Sequence, residues 1–173
     1  MRALWAVAVA VGVAVAAGCD AGGGPAGSSD RVVLAEMSVD GLDASVREKK
    51  GSVVLVEFWA QWCIPCRDRF PEIVGLHRKY AGQGLTCVSV SIDDPSDKEK
   101  VKEFLVRYRA TFPNFLLTDR KQSRQRLTER FRLGEMIPFA AVFGRDGEIA
   151  WSGTGLAPGR FEELIAREVA RGR

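Results

Sequence analysis

Two cysteines, Cys63 and Cys66, stand three positions apart in the run Trp-Cys-Ile-Pro-Cys that begins at Trp62. Thiols at this spacing can close a very small disulfide ring, and such a ring is poised to open again. A permanent bridge here would gain little, because closing so short a loop removes little entropy from the unfolded chain. The spacing therefore indicates a thiol–disulfide exchange site, with a structural bridge as the alternative.

A zinc half-site is a second alternative, and the rest of the sequence argues against it. The chain has four cysteines and one histidine, His77, so no second cysteine pair exists to complete a site. We interpret His77 as an ordinary helix residue. We interpret Cys87, which lies in an apolar run, as a buried core thiol, with a regulatory or intermolecular thiol as the alternative. We expect neither a metal nor a cofactor.

A strand and a helix bracket the two cysteines. Residues Val53–Trp59 form a nearly continuous apolar run, as expected of a strand that is buried on both faces. Apolar residues then recur at helical spacing from Phe70 to Tyr80. Pro71 falls inside this helix, where it removes a backbone hydrogen bond and should kink the axis. A cysteine pair between strand and helix is a more specific signal than the spacing alone.

Further strands and helices alternate downstream. They are a strand over 85–92, a helix that Asp94 caps and that has Pro95 at its first position, a short strand over 114–117, a charged helix over 121–131, a hairpin of 139–143 and 148–152, and a helix through 161–169. The order is βαβα, an extra segment over about 110–133, and then ββα. This order predicts an α/β fold in which a central mixed β-sheet is flanked by helices on both faces.

The first residues have the composition of an export signal. Arg2 precedes an almost wholly apolar stretch, and small residues then lead to Cys19. The sequence Ala16-Ala17-Gly18-Cys19 resembles a bacterial lipoprotein signal, in which the cysteine becomes the lipid-modified first residue of the mature chain. Plain secretion and an uncleaved membrane helix are the alternatives. Each of the three outcomes places the folded part outside the cytoplasm.

The sequence divides into three parts on this basis. We assign residues 1–18 to a lipoprotein-type signal peptide, 19–30 to a flexible glycine-rich tether and 31–173 to one folded domain. A hydrophobic content of 46% is ample for a core, and a net charge of +3 is too small to indicate a nucleic-acid partner. We interpret the basic run from Arg120 to Arg132 as the solvated face of a helix. An acidic partner or anionic lipid is the alternative.

The motifs together resemble the thioredoxin family over about residues 50–170. The resemblance rests on the run from Val56 to Cys66, on Pro71 and on Ile137-Pro138 ahead of the hairpin. The lipoprotein-type signal, the tether and the extra segment are similar to the membrane-anchored extracytoplasmic branch of that family. Members of this branch reduce disulfides, notably during cytochrome c maturation. The resemblance implies a thioredoxin fold and thiol–disulfide oxidoreductase activity.

The two cysteines are expected to differ in role. Cys63 should lie at the amino end of the helix, where free backbone N–H groups and the helix dipole stabilise a thiolate. We therefore expect Cys63 to attack a substrate disulfide. Cys66, one turn further into the helix, would then resolve the mixed disulfide and leave the two cysteines oxidised.

Two charged residues near the cysteines stand out. Glu57 is a carboxylate within the apolar strand, which is costly unless it has a partner or a role. Its position six residues before Cys63 matches the buried acid of thioredoxins, which implies a proton acceptor with a raised pKa. A partly exposed strand-end glutamate is the alternative. Arg69 stands where several anchored relatives have an acid, and it would either stabilise a thiolate or face solvent.

The substrate-docking residues are implied by the same resemblance. Pro138 matches the family's cis-proline, which lies against the active cysteines. The backbone of Ile137 would pair with the substrate as an added strand. Trp62 is expected at the rim of this docking surface, whereas Trp59 is expected in the core.

The sequence predicts an extracytoplasmic oxidoreductase that is lipid-anchored through Cys19 and monomeric. Its expected substrate is a disulfide-bearing exported protein, and a membrane partner must supply the electrons because cytosolic donors cannot reach it. The proline before Cys66 resembles the reducing members of the family. A disulfide oxidase or isomerase, and a redox-silent binding module of the same fold, are the alternatives.

Overall fold

A mixed β-sheet forms the centre of the computed structural model, which describes residues 31–155 and 159–171. The predicted signal peptide, the predicted tether and Cys19 lie outside these residues. The strands are β1 (Leu34–Met37), β2 (Val53–Trp59), β3 (Leu85–Ser91), β4 (Asn114–Leu117), β5 (Phe139–Phe143) and β6 (Ile149–Gly153). The helices are α1 (Val39–Arg47), α2 (Ile64–Tyr80), α3 (Lys98–Tyr108), α4 (Arg124–Phe131) and α5 (Arg160–Ala170).

The strands lie in the order β1-β4-β3-β2-β5-β6. The pairs β1–β4, β4–β3 and β3–β2 are parallel, whereas β2–β5 and β5–β6 are antiparallel. All seven residues of β2 are buried, as expected for an inner strand that is covered on both faces. The prediction of a mixed sheet between two layers of helices is therefore confirmed.

The two faces of β2 are covered by different helices. Val53, Leu55 and Trp59 pack with apolar residues of α2, α3 and α5. The alternate residues Val54, Val56 and Phe58 pack with residues of α1 and α4. Because neighbouring side chains of a strand point to opposite faces, Glu57 shares the face of Leu55 and Trp59, under α2.

The predicted helix after Cys66 is confirmed as α2, which runs without a break past Pro71. The helix predicted to begin at Lys121 begins instead at Arg124. The final helix and the hairpin are confirmed, with a left-handed Gly147 in the hairpin turn. Within the described part of the chain, no helix is long and apolar enough to cross a membrane.

Strand β1 and helix α1 were not predicted from the sequence, and the extra segment depends on them. Strand β4 lies between β1 and β3, where Asn114 ties the strands together. Ser89 Oγ donates to Asn114 Oδ1 at 2.7 Å, and Asn114 Nδ2 donates to the carbonyl oxygens of Val33 (3.1 Å), Ala110 (2.9 Å) and Phe112 (2.6 Å). The extra segment is thus part of the sheet rather than an appendage.

Helix α4 packs over the same face as α1, and its basic residues are paired within the domain. Arg126 pairs with Asp40 of α1, and Arg130 pairs with Asp43 of α1. Much of the basic run is therefore committed to holding α4 on α1. Interpreting it only as a solvated face was incomplete.

The anchoring of α4 can be tested with Phe131→Ala. The Phe131 ring is fully buried and lies 5.4 Å from Phe58 and 5.9 Å from Phe143, measured between ring centroids. Removing it should lower the free energy of unfolding by about 3–5 kcal/mol in urea denaturation. Glu129→Ala, on the exposed side of α4, should change it by less than about 0.5 kcal/mol. Equal effects of the two variants would contradict this packing.

Candidate active site

The Cys63–Cys66 pair lies at the start of α2 and is joined as a disulfide, with an S–S distance of 2.11 Å. Cys63 is the N-cap residue of the helix, and its sulfur accepts a hydrogen bond from the backbone N–H of Cys66 at 3.2 Å. Cys63 is 6% exposed and Cys66 is 1% exposed, so Cys63 is the more accessible of the two. An incoming thiol or disulfide therefore meets Cys63 first.

Large apolar side chains project beside the disulfide. Trp62 is 59% exposed and Ile64 is 68% exposed. They flank Cys63 on both sides in the chain. This exposed apolar rim around a reactive pair is suited to contact with another protein.

The loop that precedes Cys63 is held by Asp93, a residue that the sequence analysis did not single out. The backbone N–H of Gln61 donates to both carboxylate oxygens of Asp93, at 3.2 and 3.0 Å. Ser91 Oγ donates to Asp93 Oδ2 at 2.7 Å. Burial raises the pKa of Asp93, and these hydrogen bonds oppose that effect. An acidic residue two positions after the end of β3 was the available signal.

The peptide bond between Ile137 and Pro138 is cis. Phe139, which follows it, pairs with Phe58 in the antiparallel register of β2 and β5. This register places Pro138 at the end of the sheet that contains the carboxyl terminus of β2, where the loop to Cys63 begins. The sheet therefore brings the cysteine pair and Pro138 to one edge, although they are far apart in the sequence.

A cavity of about 440 Å³ opens next to Ile137. Apolar side chains form part of its wall, and basic side chains from the segment before α4 and from its first residue line another part. The lining includes Ile92, Leu127, Leu133 and Ile137 together with Arg120, Lys121 and Arg124. The docking edge thus continues into a recess with both apolar and cationic surface.

Glu57 is buried in the middle of β2, with 1% of its surface exposed. The interpretation as a partly exposed strand-end residue is therefore wrong. Burial raises the pKa of Glu57 to about 7, because desolvation disfavours the carboxylate, while Arg69 acts in the opposite direction. A group with this pKa is divided between its charged and neutral forms near neutral pH.

Arg69 binds Glu57 directly, which neither interpretation of the arginine foresaw. Arg69 Nη2 lies 2.6 Å from Glu57 Oε1 and 2.8 Å from Oε2, and Arg69 Nε donates to Oε1 at 3.1 Å. The Arg69 side chain is 13% exposed, so it does not face solvent. Sequence spacing gave no signal for this pair, because the contact depends on how α2 is rotated over the sheet.

The remaining candidates do not join the site. His77 is half-buried, and its ring lies edge-on to Phe112 with 5.2 Å between ring centroids. Cys87 is a fully buried free thiol whose pKa is raised by burial, so it is a poor nucleophile. Over 31–155 and 159–171, no group of histidine, cysteine and acidic residues could hold a metal ion.

Comparison with known proteins identifies the family. The model of the AhpC/TSA family matches residues 33–152. The chain belongs to this thioredoxin-like family. Its fold is the thioredoxin fold, and a thiol:disulfide interchange protein of the thioredoxin family from Chlorobium tepidum superposes on it with a TM-score of 0.62. That structure is 23% identical and covers 77% of this chain and 90% of its own.

Two curated relatives come from Bacillus subtilis. The thioredoxin-like protein YneN is 38% identical over 85 residues, which is 49% of this chain and 48% of YneN. The thiol-disulfide oxidoreductase ResA is 32% identical over 82 residues, which is 47% of this chain and 45% of ResA. The chain thus matches about half the length of these relatives.

The raised pKa of Glu57 predicts a pH-dependent stability that Glu57→Gln should remove. Between the ordinary value of 4.5 and about 7, the folded protein binds more protons at this residue than the unfolded chain does. The free energy of unfolding of the wild type should therefore fall as pH rises through this window. Relative to Glu57→Gln, the fall should be on the order of 3 kcal/mol in urea denaturation of the oxidised proteins. Parallel stability curves for the two proteins would contradict the raised pKa.

Proposed function

We propose that this protein is a thiol–disulfide oxidoreductase that reduces disulfides in other proteins. The observation that carries the proposal is the Cys63–Cys66 disulfide at the amino end of α2, with Cys63 as the more accessible sulfur. A helix amino end stabilises the thiolate that disulfide exchange requires. The relative ResA is a thiol-disulfide oxidoreductase, which supports the same chemistry.

The reaction begins with the reduced protein. The Cys63 thiolate attacks one sulfur of the substrate disulfide, and the other substrate sulfur leaves as a thiolate that takes up a proton. Cys66 then gives its proton to the Glu57 carboxylate and attacks Cys63 in the mixed disulfide. The Cys63–Cys66 bond forms, and the second substrate sulfur is released and protonated. Two electrons have passed from the cysteine pair to the substrate.

The substrate is a protein segment that docks along the edge formed by Trp62 and the Ile137-Pro138 peptide. Among the described residues, no hydrogen bond uses the backbone of Ile137, so its polar groups are available to an added strand. The exposed ring of Trp62, which directly precedes Cys63 in the chain, supplies apolar contact. Backbone pairing of this kind accepts many sequences, which suits a general reductant of protein disulfides.

The reaction takes place outside the cytoplasm in this proposal. The apolar segment before Cys19 and the lipoprotein-like sequence at 16–19 support export and lipid attachment. The substrate is then an exported protein, and a membrane partner returns electrons to the oxidised pair. The protein acts as a monomer, because one chain contains both cysteines and the docking edge.

The roles of the two active-site cysteines can be distinguished by substitution. Cys63→Ser should abolish reduction of an exported disulfide protein, because the attacking thiolate is lost. Cys66→Ser should instead accumulate a mixed disulfide through Cys63, visible by non-reducing electrophoresis and mass spectrometry. Cys87→Ala is the matched control and should retain activity, since Cys87 is buried in the core. Unchanged reduction by Cys63→Ser would contradict catalysis by this pair, and absence of reduction by the wild type would favour the redox-silent binding module.

The direction of electron flow is set by the reduction potential. The proline before Cys66 supports a reductant, so we expect a value near that of thioredoxin, roughly −270 mV. The measurement is equilibration of the full chain with dithiothreitol or glutathione buffers. A value near roughly −120 mV would instead identify an oxidase that donates its disulfide to substrates.

A further inference from the structure

The pairing of Arg69 with Glu57 uses more than one contact. Arg69 Nε and Nη2 donate hydrogen bonds to the Glu57 carboxylate, and Arg69 Nη1 donates to the backbone oxygen of Thr154 at 3.0 Å. The guanidinium carbon also lies 5.8 Å from the centre of the Phe161 ring. The guanidinium is therefore fixed by β6 and α5 as well as by the carboxylate. It cannot leave Glu57 without losing these contacts.

Few other ionisable groups act on Glu57. On α2, Glu72 is near enough to raise the pKa of Glu57, and it acts against Arg69. On β3, the charge of Glu57 contributes to the raised pKa of Cys87. On α5, Glu162 is engaged by Lys79 and acts on Glu72 rather than on Glu57. Among the described residues, Arg69 is thus the one cation that stabilises the Glu57 carboxylate.

A buried carboxylate without such a cation is neutral at pH 7. Desolvation can raise the pKa of a fully buried acid by several units, whereas an adjacent opposite charge lowers it by roughly 1–3 units. The resolving step needs the ionised form, because a carboxylic acid cannot take the Cys66 proton. Complete burial alone would therefore remove the base from the reaction.

We propose that Arg69 is a positioning residue that keeps a working fraction of Glu57 ionised at neutral pH, and in place, as the base for the resolving step. This inference rests on the proposed function. The Glu57 carboxylate takes the Cys66 proton and becomes neutral, which leaves the Arg69 cation with only Thr154 and the Phe161 ring. That loss of pairing favours release of the proton to solvent or to the departing substrate thiolate. Arg69 thereby returns Glu57 to its ionised form after each turnover.

A structural role alone would give different behaviour. Buried ion pairs contribute little net stability compared with apolar pairs of similar size, because both charges must be desolvated. If Arg69 served only to neutralise a buried charge, removing both charges would leave disulfide exchange unaffected. If Arg69 tunes the base, its removal changes the pH at which the resolving step proceeds.

The test measures the Glu57 titration and the two chemical steps separately in the full chain. Infrared difference spectra of the oxidised protein, with Glu57→Gln as the blank, follow the carboxylate band from pH 5 to 9. Stopped-flow mixing gives the rate at which the mixed disulfide is resolved. The same measurement in a Cys66→Ser background isolates the attack by Cys63. The variants are Arg69→Leu, Arg69→Lys and the control Arg78→Leu, an exposed arginine of the same helix.

Arg69→Leu should move the Glu57 titration and the pH midpoint of resolution upward together, by roughly 1–3 pH units. Resolution at pH 7 should slow by roughly five- to five-hundred-fold, while attack in the Cys66→Ser background keeps its wild-type pH profile. Arg69→Lys should give an intermediate shift, and it retains a charge if Arg69→Leu does not fold. Arg78→Leu should match the wild type.

Unchanged titration and unchanged resolution in both Arg69 variants would overturn the inference. So would an equal change in attack and resolution, which indicates a general effect on the site. In a Glu57→Gln background, Arg69→Leu should no longer change the rate or the pH dependence of resolution. A change that persists in that background would also contradict the inference. Failure of the proposed function looks different, because the wild type itself would then form no mixed disulfide.

Discussion

The burial of one carboxylate in the central strand constrains the arrangement around the disulfide. Glu57 lies inside a seven-residue strand whose every position is buried, so its charge must be met from within the fold. Arg69 on α2 forms an ion pair with this carboxylate and also donates to the backbone oxygen of Thr154, which follows β6. The pair therefore ties α2 to β2 and to the segment after β6, in addition to the apolar packing of α2 on the sheet. Because Cys63 caps that helix, the same contacts help to hold the reactive sulfur in place.

The reactive edge exists because several chain segments end there together. Strands β2 and β3 finish at this edge, Asp93 after β3 holds the loop before Cys63, and β5 begins there behind Pro138. Parallel and antiparallel neighbours of β2 thus supply different parts of one site. In thiol–disulfide exchange the two sulfurs themselves carry the electrons.

The sequence predicted the parts of the fold whose signals are local. A continuous apolar run gave β2, helical spacing gave α2, and Asp-Gly between two apolar runs gave the hairpin. Strand β1 was missed because it has four residues and gains its stability from pairing with β4, about 80 residues away. The cysteine pair and Pro138 were recognised as motifs. Arg69 was misinterpreted, because helical periodicity does not show which buried group a long side chain will reach across 12 residues.

In the proposed mechanism, Glu57 and the cysteine pair exchange a proton during turnover. Reduction creates a Cys66 thiol that gives its proton to a carboxylate with a pKa of about 7, so the two groups should titrate as a coupled pair. The most direct measurement is the reduction potential of the Cys63–Cys66 pair as a function of pH, in the wild type and in Glu57→Gln. We predict a change of slope near pH 7 in the wild type that is absent in Glu57→Gln. Superimposable curves for the two proteins would contradict the account.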